Sequence, residues 1–343
     1  MSKLFFLIDL MNTANNFDVR EYLKLADDYE IVSSSNYYEL DNFDLSQFDD
    51  RFVCIHIDFM YKLANTHSEY WEDLEKKIKN LKKKNFKFIL TQNWESYENV
   101  KQLEHYYTLL TRLLGTEYLQ WYGDYDWFWF NMYMHHKNIN YYFDHSKKTH
   151  DFFYLNKTPR SHREMLFKKL FESGCLKNSI FSYRNDPYKI NLEKKYELPG
   201  VDNYPMYGKD HIIYEPPYNQ SAINLVSETN DNGTEIFMTE KIWKPIIAGQ
   251  PFIVHGNKHY LKKLKELGFE TYGKWVDESY DEISDRNKKI IKIYDNCGEV
   301  LKMNYNKFYE DCKNIRIHNQ KQFYNIEKLK EIINQRIKNF VES

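Results

Sequence analysis

No Cys-x-x-Cys spacing and no Gly-x-Gly-x-x-Gly segment occurs anywhere in the 343 residues of this chain. The four cysteines, Cys54, Cys175, Cys297 and Cys312, lie far apart, which points to neither a zinc site nor a disulfide framework and predicts free thiols. The missing glycine fingerprint weighs against a Rossmann oxidoreductase, whose phosphate turn would follow the first strand. An excess of one charge sign is also lacking. With a formal net charge of −2 and a pI near 6.6, no global field gathers a polyanion, and contact with DNA would need a local basic patch. Long hydrophobic runs are absent too. The stretch Leu4 to Ile8 meets Asp9, has no basic leader and is too short for a bilayer, so it reads as a buried first strand. No membrane span and a cytoplasmic location are expected. What abounds is aromatic, with 30 Tyr and 23 Phe alongside much Lys, Asn and Ile. These types share AT-rich codons, so single exposed tyrosines carry little functional weight.

The length predicts two domains of about 150 residues each. In the first half, Leu4 to Ile8, Glu30 to Ser33, Phe52 to Ile57 and Phe86 to Leu90 are strand-like, and the last two are nearly continuous apolar runs suited to burial on both faces of a parallel sheet. Tyr70 to Lys84 and Val100 to Leu114 have helical spacing, the second stopped by Gly115, and Asn140 to Asp144 reads as one more strand. A second alternating series gives strands at Asp151 to Leu155, Ile180 to Tyr183, Ala222 to Val226, Pro251 to Val254 and Glu270 to Tyr272. The stretch 185 to 208, with three prolines, reads as an irregular loop. From Tyr280 the chain turns helical and charged, ending in a helix over Ile326 to Val341. The expected class is α/β with two Rossmann-like domains, residues 1–149 and 150–320, and a tail, 321–343, whose helix packs back on the first domain.

In such domains ligands collect at the carboxyl ends of the strands, near helix N-termini. Three segments of the second half fall there. One is the loop with Arg160 and Arg163; the next carries Glu228 and Asn230; the third opens a helix at Thr239, Glu240 and Lys241. Arginine offers a planar fork to phosphate, Lys241 a point charge, and the first helical turn its unpaired N–H groups. A carboxylate at Glu240 suits two ribose hydroxyls. Between Lys157 and Lys195 ten basic residues stand against four acidic ones, a local patch that fits an anionic donor or a nucleic-acid backbone. Each element also has a plainer reading. Thr239 before Glu240 is what a helix cap followed by a dipole-favourable acid looks like, and lone arginines are ordinarily a solvated helix face.

Ser227-Glu-Thr-Asn230, Met238-Thr-Glu-Lys-Ile242 and Ala248-Gly-Gln-Pro-Phe-Ile-Val-His-Gly256 together resemble the donor-binding motif of the α1,3-fucosyltransferase-type glycosyltransferases. That pattern is an aromatic-Glu-Asn-Ser segment, then Tyr-Val-Thr-Glu-Lys, then a small-residue turn into Pro and a strand ending in Gly. Thr-Glu-Lys is matched in full, whereas Ser227 stands where an aromatic is usual and Thr229 where Asn is usual. The likeness covers roughly residues 150 to 285, and similar sequences occur in viral and phage genomes, where the AT-rich bias is at home. It implies a GT-B fold, with two domains facing across a cleft and the nucleotide sugar held by the second. It further implies that Glu240 contacts the ribose, that Lys241 and an arginine of the 160–163 loop contact the phosphates, and that neither a metal nor another cofactor is needed.

Inverting transfer needs a carboxylate to take the acceptor's proton as the nucleoside diphosphate leaves. In the resembling family this base comes from the first domain, which makes Glu95, after the strand Phe86 to Leu90, the first candidate. Asp124 is its rival in the aromatic segment Trp121 to Trp129, with Asp126 beside it and Asp58 after another strand. Trp121, Trp127 and Trp129 could stack on a sugar or base, although core burial is the common fate of such a cluster. The expected function is transfer of a sugar from a nucleotide diphosphate donor to a glycan, a protein or a hydroxymethylated DNA base. The alternative is a nucleotide- or nucleic-acid-binding module without catalysis.

Overall fold

Alternating apolar runs and helical stretches build two parallel sheets. The computed structural model describes residues 3–9, 30–31, 53–58, 72, 75, 76, 79, 87–92, 118–122, 141–156, 160–183, 213–231, 236 and 238–342. The fold is α/β, and the chain divides into two compact units, Met1–Phe130 with Ile326–Ser343, and Asn131–Asn325.

In the first unit, β1 (Lys3–Asp9), β2 (Glu30–Ile31), β3 (Val53–Asp58), β4 (Lys87–Gln92) and β5 (Tyr118–Tyr122) form one sheet in the order β2-β1-β3-β4-β5. Every pairing is parallel, from Phe5 opposite Val53 to Gln92 opposite Tyr122. Trp121, the first residue of the aromatic segment, lies on β5, because Tyr118-Leu-Gln-Trp-Tyr122 is rich in residues that suit a pleated surface. Residues 72, 75, 76 and 79 are helical, as expected for Tyr70 to Lys84, and Glu75 pairs with Lys79 one turn on. Asp58 closes β3 opposite Thr91. Glu95, Asp124, Asp126, Trp127, Trp129 and the expected helix over Val100 to Leu114 lie outside the described residues.

The second unit holds β6 (His150–Asn156), β7 (Ile180–Tyr183), β8 (Ser221–Ser227) and β9 (Phe252–His255), again parallel, in the order β7-β6-β8-β9. All seven residues of β8 and all four of β9 are buried. Such strands have both faces covered, here by α1 (Ser161–Glu172), α2 (Glu215–Gln220), α3 (Glu240–Ala248), α4 (Tyr260–Glu266), α5 (Arg286–Val300), α6 (Tyr305–Asp311) and α7 (Lys313–Phe323). A last helix, α8 (Ile326–Glu342), belongs to the first unit. No helix among the described residues is long and apolar enough to cross a membrane.

Two expected strands are irregular. Residues 141 to 144 pair with no strand among the described residues, and the segment 141–149 is held to the rest of the second unit by bonds such as His145 Nε2 to the Ala248 carbonyl at 2.8 Å, and Lys148 Nζ to the Tyr218 and Asn219 carbonyls at 3.1 and 2.8 Å. Glu270 to Tyr272 also has no ladder partner. Its one aromatic, Tyr272, serves packing instead, 5.1 Å from the Phe252 ring, and the preceding Phe269 lies 5.5 Å from the Trp243 ring.

The helix α3 shows how local sequence sets local structure. Thr239 caps its start, and Ile242, Trp243, Ile246 and Ile247 make one buried stripe, each worth about 1.5–3 kcal/mol of removed apolar surface. Pro245 has no N–H for the Lys241 carbonyl, and Gly249, at φ 61°, ends the helix in the left-handed region. Beyond that end, Gln320 and Arg316 of α7 donate to the Ile247 and Gly249 carbonyls at 2.9 and 2.8 Å. The last turn is therefore satisfied from outside the helix.

Candidate functional site

The chain leaves β6 for β7 on one side and returns to β8 on the other, so strand order reverses between β6 and β8. The carboxyl ends of these two strands are where open α/β sheets take ligands. At these ends lie Asn156, the last residue of β6, the start of α1, the segment from Glu228 to Asp231, and the start of α3.

Glu228 follows β8 and is wholly buried. Its Oε2 accepts from Thr239 Oγ1 at 2.7 Å; its Oε1 accepts from the Thr239 N–H at 3.2 Å and from Tyr260 Oη at 2.6 Å. Its carbonyl takes Arg163 Nε at 3.1 Å and His162 Nε2 at 3.0 Å. Both the carboxylate and the carbonyl are thus spent inside the protein. Arg163 is buried as well, and burial lowers its pKa from the ordinary guanidinium value. Arg160 holds the N-cap position of α1, half-buried, with no side-chain cap. Asn230 is buried beside Asp231.

Asp231 anchors a second cluster. Arg286, at the start of α5, grips it with a fork, Nε at 2.6 Å and Nη2 at 2.8 Å, and reaches Ser161 Oγ with Nη1 at 3.1 Å. Burial acts to raise the Asp231 carboxyl, but the Arg286 bonds and the flanking histidines prevail and hold it below the usual range. His162 Nδ1 and His255 Nε2 approach it at 3.5 and 3.8 Å. Burial pushes the two imidazoles down to about 4 and about 3, so they are neutral near pH 7 and these approaches are not ion pairs. A neutral imidazole has one N–H, and for His162 the 3.0 Å carbonyl contact claims it. One carboxylate thereby ties the loop after β8 to the starts of α1 and α5.

Two charged side chains at the start of α3 are only partly buried. Glu240 and Lys241 expose 21% and 27% of their side chains at the first turn of α3, with Lys241 Nζ 3.0 Å from Glu240 Oε1. Burial works to raise Glu240, yet Lys241 and Lys244 outweigh it and bring the carboxyl down to about 2. Lys241 Nζ also reaches Thr239 Oγ1 at 3.0 Å and Thr229 Oγ1 at 3.4 Å. An anion meeting this turn finds an ammonium group and the N-terminal end of a nine-residue helix.

The structure gathers Glu228, Arg163, Thr239, Glu240 and Lys241 at one sheet edge. Tyr260, Asp231, Arg286 and His255 have no role that the sequence alone indicates, although His255 and Gly256 stand in the motif that ends four residues before Tyr260. A Cβ on Gly256 would sit 2.7 Å from Tyr260 Cδ2. Gly256→Ala is therefore expected to displace the Tyr260 ring at a cost of about 1–3 kcal/mol, read as a lower urea midpoint for the second unit. An unchanged midpoint would show that the ring has slack the structure does not.

Among the described residues no group of three or more His, Cys, Asp or Glu could hold a metal ion, and Cys175, Cys297 and Cys312 are buried free thiols. No family model and no curated protein matches the chain.

Proposed function

We propose that this chain is a nucleotide-sugar-dependent glycosyltransferase of GT-B type, similar in its donor motif to the α1,3-fucosyltransferases. The second unit holds the donor. The observation that carries the reading is the division of labour around α3: Glu228 and Thr239 lie behind the helix start as fixed supports, while Glu240 and Lys241 stay accessible where the strand order reverses. A carboxylate at Glu240 can accept from two ribose hydroxyls, and Lys241 with the amides of the first turn can neutralise the diphosphate. The half-buried Arg160 adds a cation at the start of α1. In the transfer step the acceptor oxygen attacks the anomeric carbon, its proton passes to a carboxylate, Glu95 being the first candidate and Asp124 its rival, and the nucleoside diphosphate leaves with the bonding electrons. The outcome is inversion without a metal, on a glycan, a protein or a hydroxymethylated DNA base.

A thermal-shift series with UDP, GDP, CDP and TDP tests the donor site. One nucleotide is expected to raise the melting temperature, since a ligand at 100 times its Kd stabilises by about 2.7 kcal/mol. Lys241→Ala should remove that shift with little change in the unliganded melting point. No shift with any of the four in the wild type would sink the assignment, and binding without transfer to any acceptor would leave a nucleotide-binding module.

A further inference from the structure

We infer that Tyr260 is a positioning residue for the donor site, acting through Glu228 to fix the first turn of α3; this rests on the reading of that site given above. Tyr260 opens α4, just past the turn that follows β9, and its ring is buried in room left by the missing side chain of Gly256. Its hydroxyl has one proton, and that proton goes to Glu228 Oε1 at 2.6 Å. A carboxylate can only accept, so the direction of this bond is fixed. Burial, with Glu228 adding to it, raises the phenol well above its usual pKa and keeps the donor protonated.

The direction then propagates. Thr239 Oγ1 also has one proton, and it goes to Glu228 Oε2 at 2.7 Å. The lone pairs of the same oxygen are left facing Lys241, whose N–H lies at 3.4 Å and whose Nζ lies at 3.0 Å. The Thr239 N–H takes the other carboxylate oxygen, at 3.2 Å. Tyr260 therefore pins the carboxylate, the carboxylate orients the threonine hydroxyl, and the hydroxyl places both ends of Lys241. A tyrosine that only filled the core would need its ring and not its oxygen.

Tyr260→Phe keeps the ring and removes the oxygen. In the unliganded protein, hydrogen exchange of the Thr239, Lys241 and Ile242 amides is expected to quicken about 3- to 10-fold, the share of one bond to a charged group that reaches the turn. The affinity for whichever of UDP, GDP, CDP or TDP binds the wild type should fall by a similar factor. In a Glu228→Ala background, which has neither acceptor oxygen, the tyrosine change should add nothing to either readout, because the relay is already broken. Unchanged exchange in Tyr260→Phe overturns the inference by itself, even if Glu228→Ala fails to fold. Losses in affinity that multiply overturn the route through Glu228. Faster exchange in a protein whose wild type binds none of the four nucleotides would identify a clamp on the helix start and overturn its role in donor binding, a result distinct from failure of the clamp.

Discussion

Glu228→Ala is expected to cost the second unit about 3–5 kcal/mol, the range for removing one member of a buried charged network. The carboxylate is fully buried and serves three donors, the Thr239 N–H, Thr239 Oγ1 and Tyr260 Oη. Alanine would leave all three without an acceptor, at about 1–3 kcal/mol for each buried group that stays unsatisfied. Entry of water into the space left behind would recover part of that, which is why the expected total lies below the sum. Glu228→Gln keeps one acceptor oxygen of similar shape and should lose about half as much. The measurement is the denaturant midpoint of the second unit, followed by hydrogen exchange in β8 so that unfolding of the first unit is not mistaken for it. A loss below about 1 kcal/mol for the alanine variant would mean that the carboxylate does not support this turn.

Those elements that could be read from the sequence are the ones set by neighbours along the chain. The strands β6, β7, β8 and β9 lie within a residue or two of their expected bounds, because each is a short apolar run between turn residues. The start and end of α3 were marked by Thr239 and Gly249, whose roles depend on the backbone within a few residues. Glu270 to Tyr272 misled because a burial pattern was read as a pairing pattern. Tyr272 packs on Phe252, and alternation alone does not distinguish the two. The site was legible as an address more than as a set of roles. Charged residues after a strand marked side chains that the fold gathers at the carboxyl ends of β6 and β8, but Glu228 and Arg163 turn inward while Glu240 and Lys241 stay partly exposed. What decides this is remote: Tyr260 is 32 residues from Glu228, and Arg286 is 55 from Asp231. Nothing local in the sequence indicates that those partners will arrive.

Acid is expected to unfold the second unit in a window set by its buried histidines. His255 is fully buried beside His162, with Asp231 on the loop after β8 and Arg286 and Lys289 on α5 as the neighbouring charges. Burial, helped by these cations, holds His255 neutral down to about 3 and His162 down to about 4, against an ordinary value of 6.5. Between pH 6.5 and 4 the unfolded chain therefore takes up protons that the folded unit refuses. Stability is fully present above 6.5 and falls as the pH drops, by about 1.4 kcal/mol per pH unit for each such histidine. His145, pushed down to about 3 by burial and by Lys148 and Arg316, acts in the same window. Asp231 adds a loss that begins lower: its carboxyl is held below 3.8, so its contribution lasts until the pH falls through that depressed value. Denaturant titrations at pH 7, 6, 5 and 4.5 should show this decline, and His255→Gln should reduce its slope by about one proton's worth. His162→Gln should do the same while keeping a donor for the Glu228 carbonyl. The design separates the histidines from the carboxylates, since only the former titrate near 6.5 in the unfolded chain. An unaltered slope in both variants would mean that the two imidazoles take up protons in the folded protein as they do in the unfolded chain, and that burial does not keep them neutral.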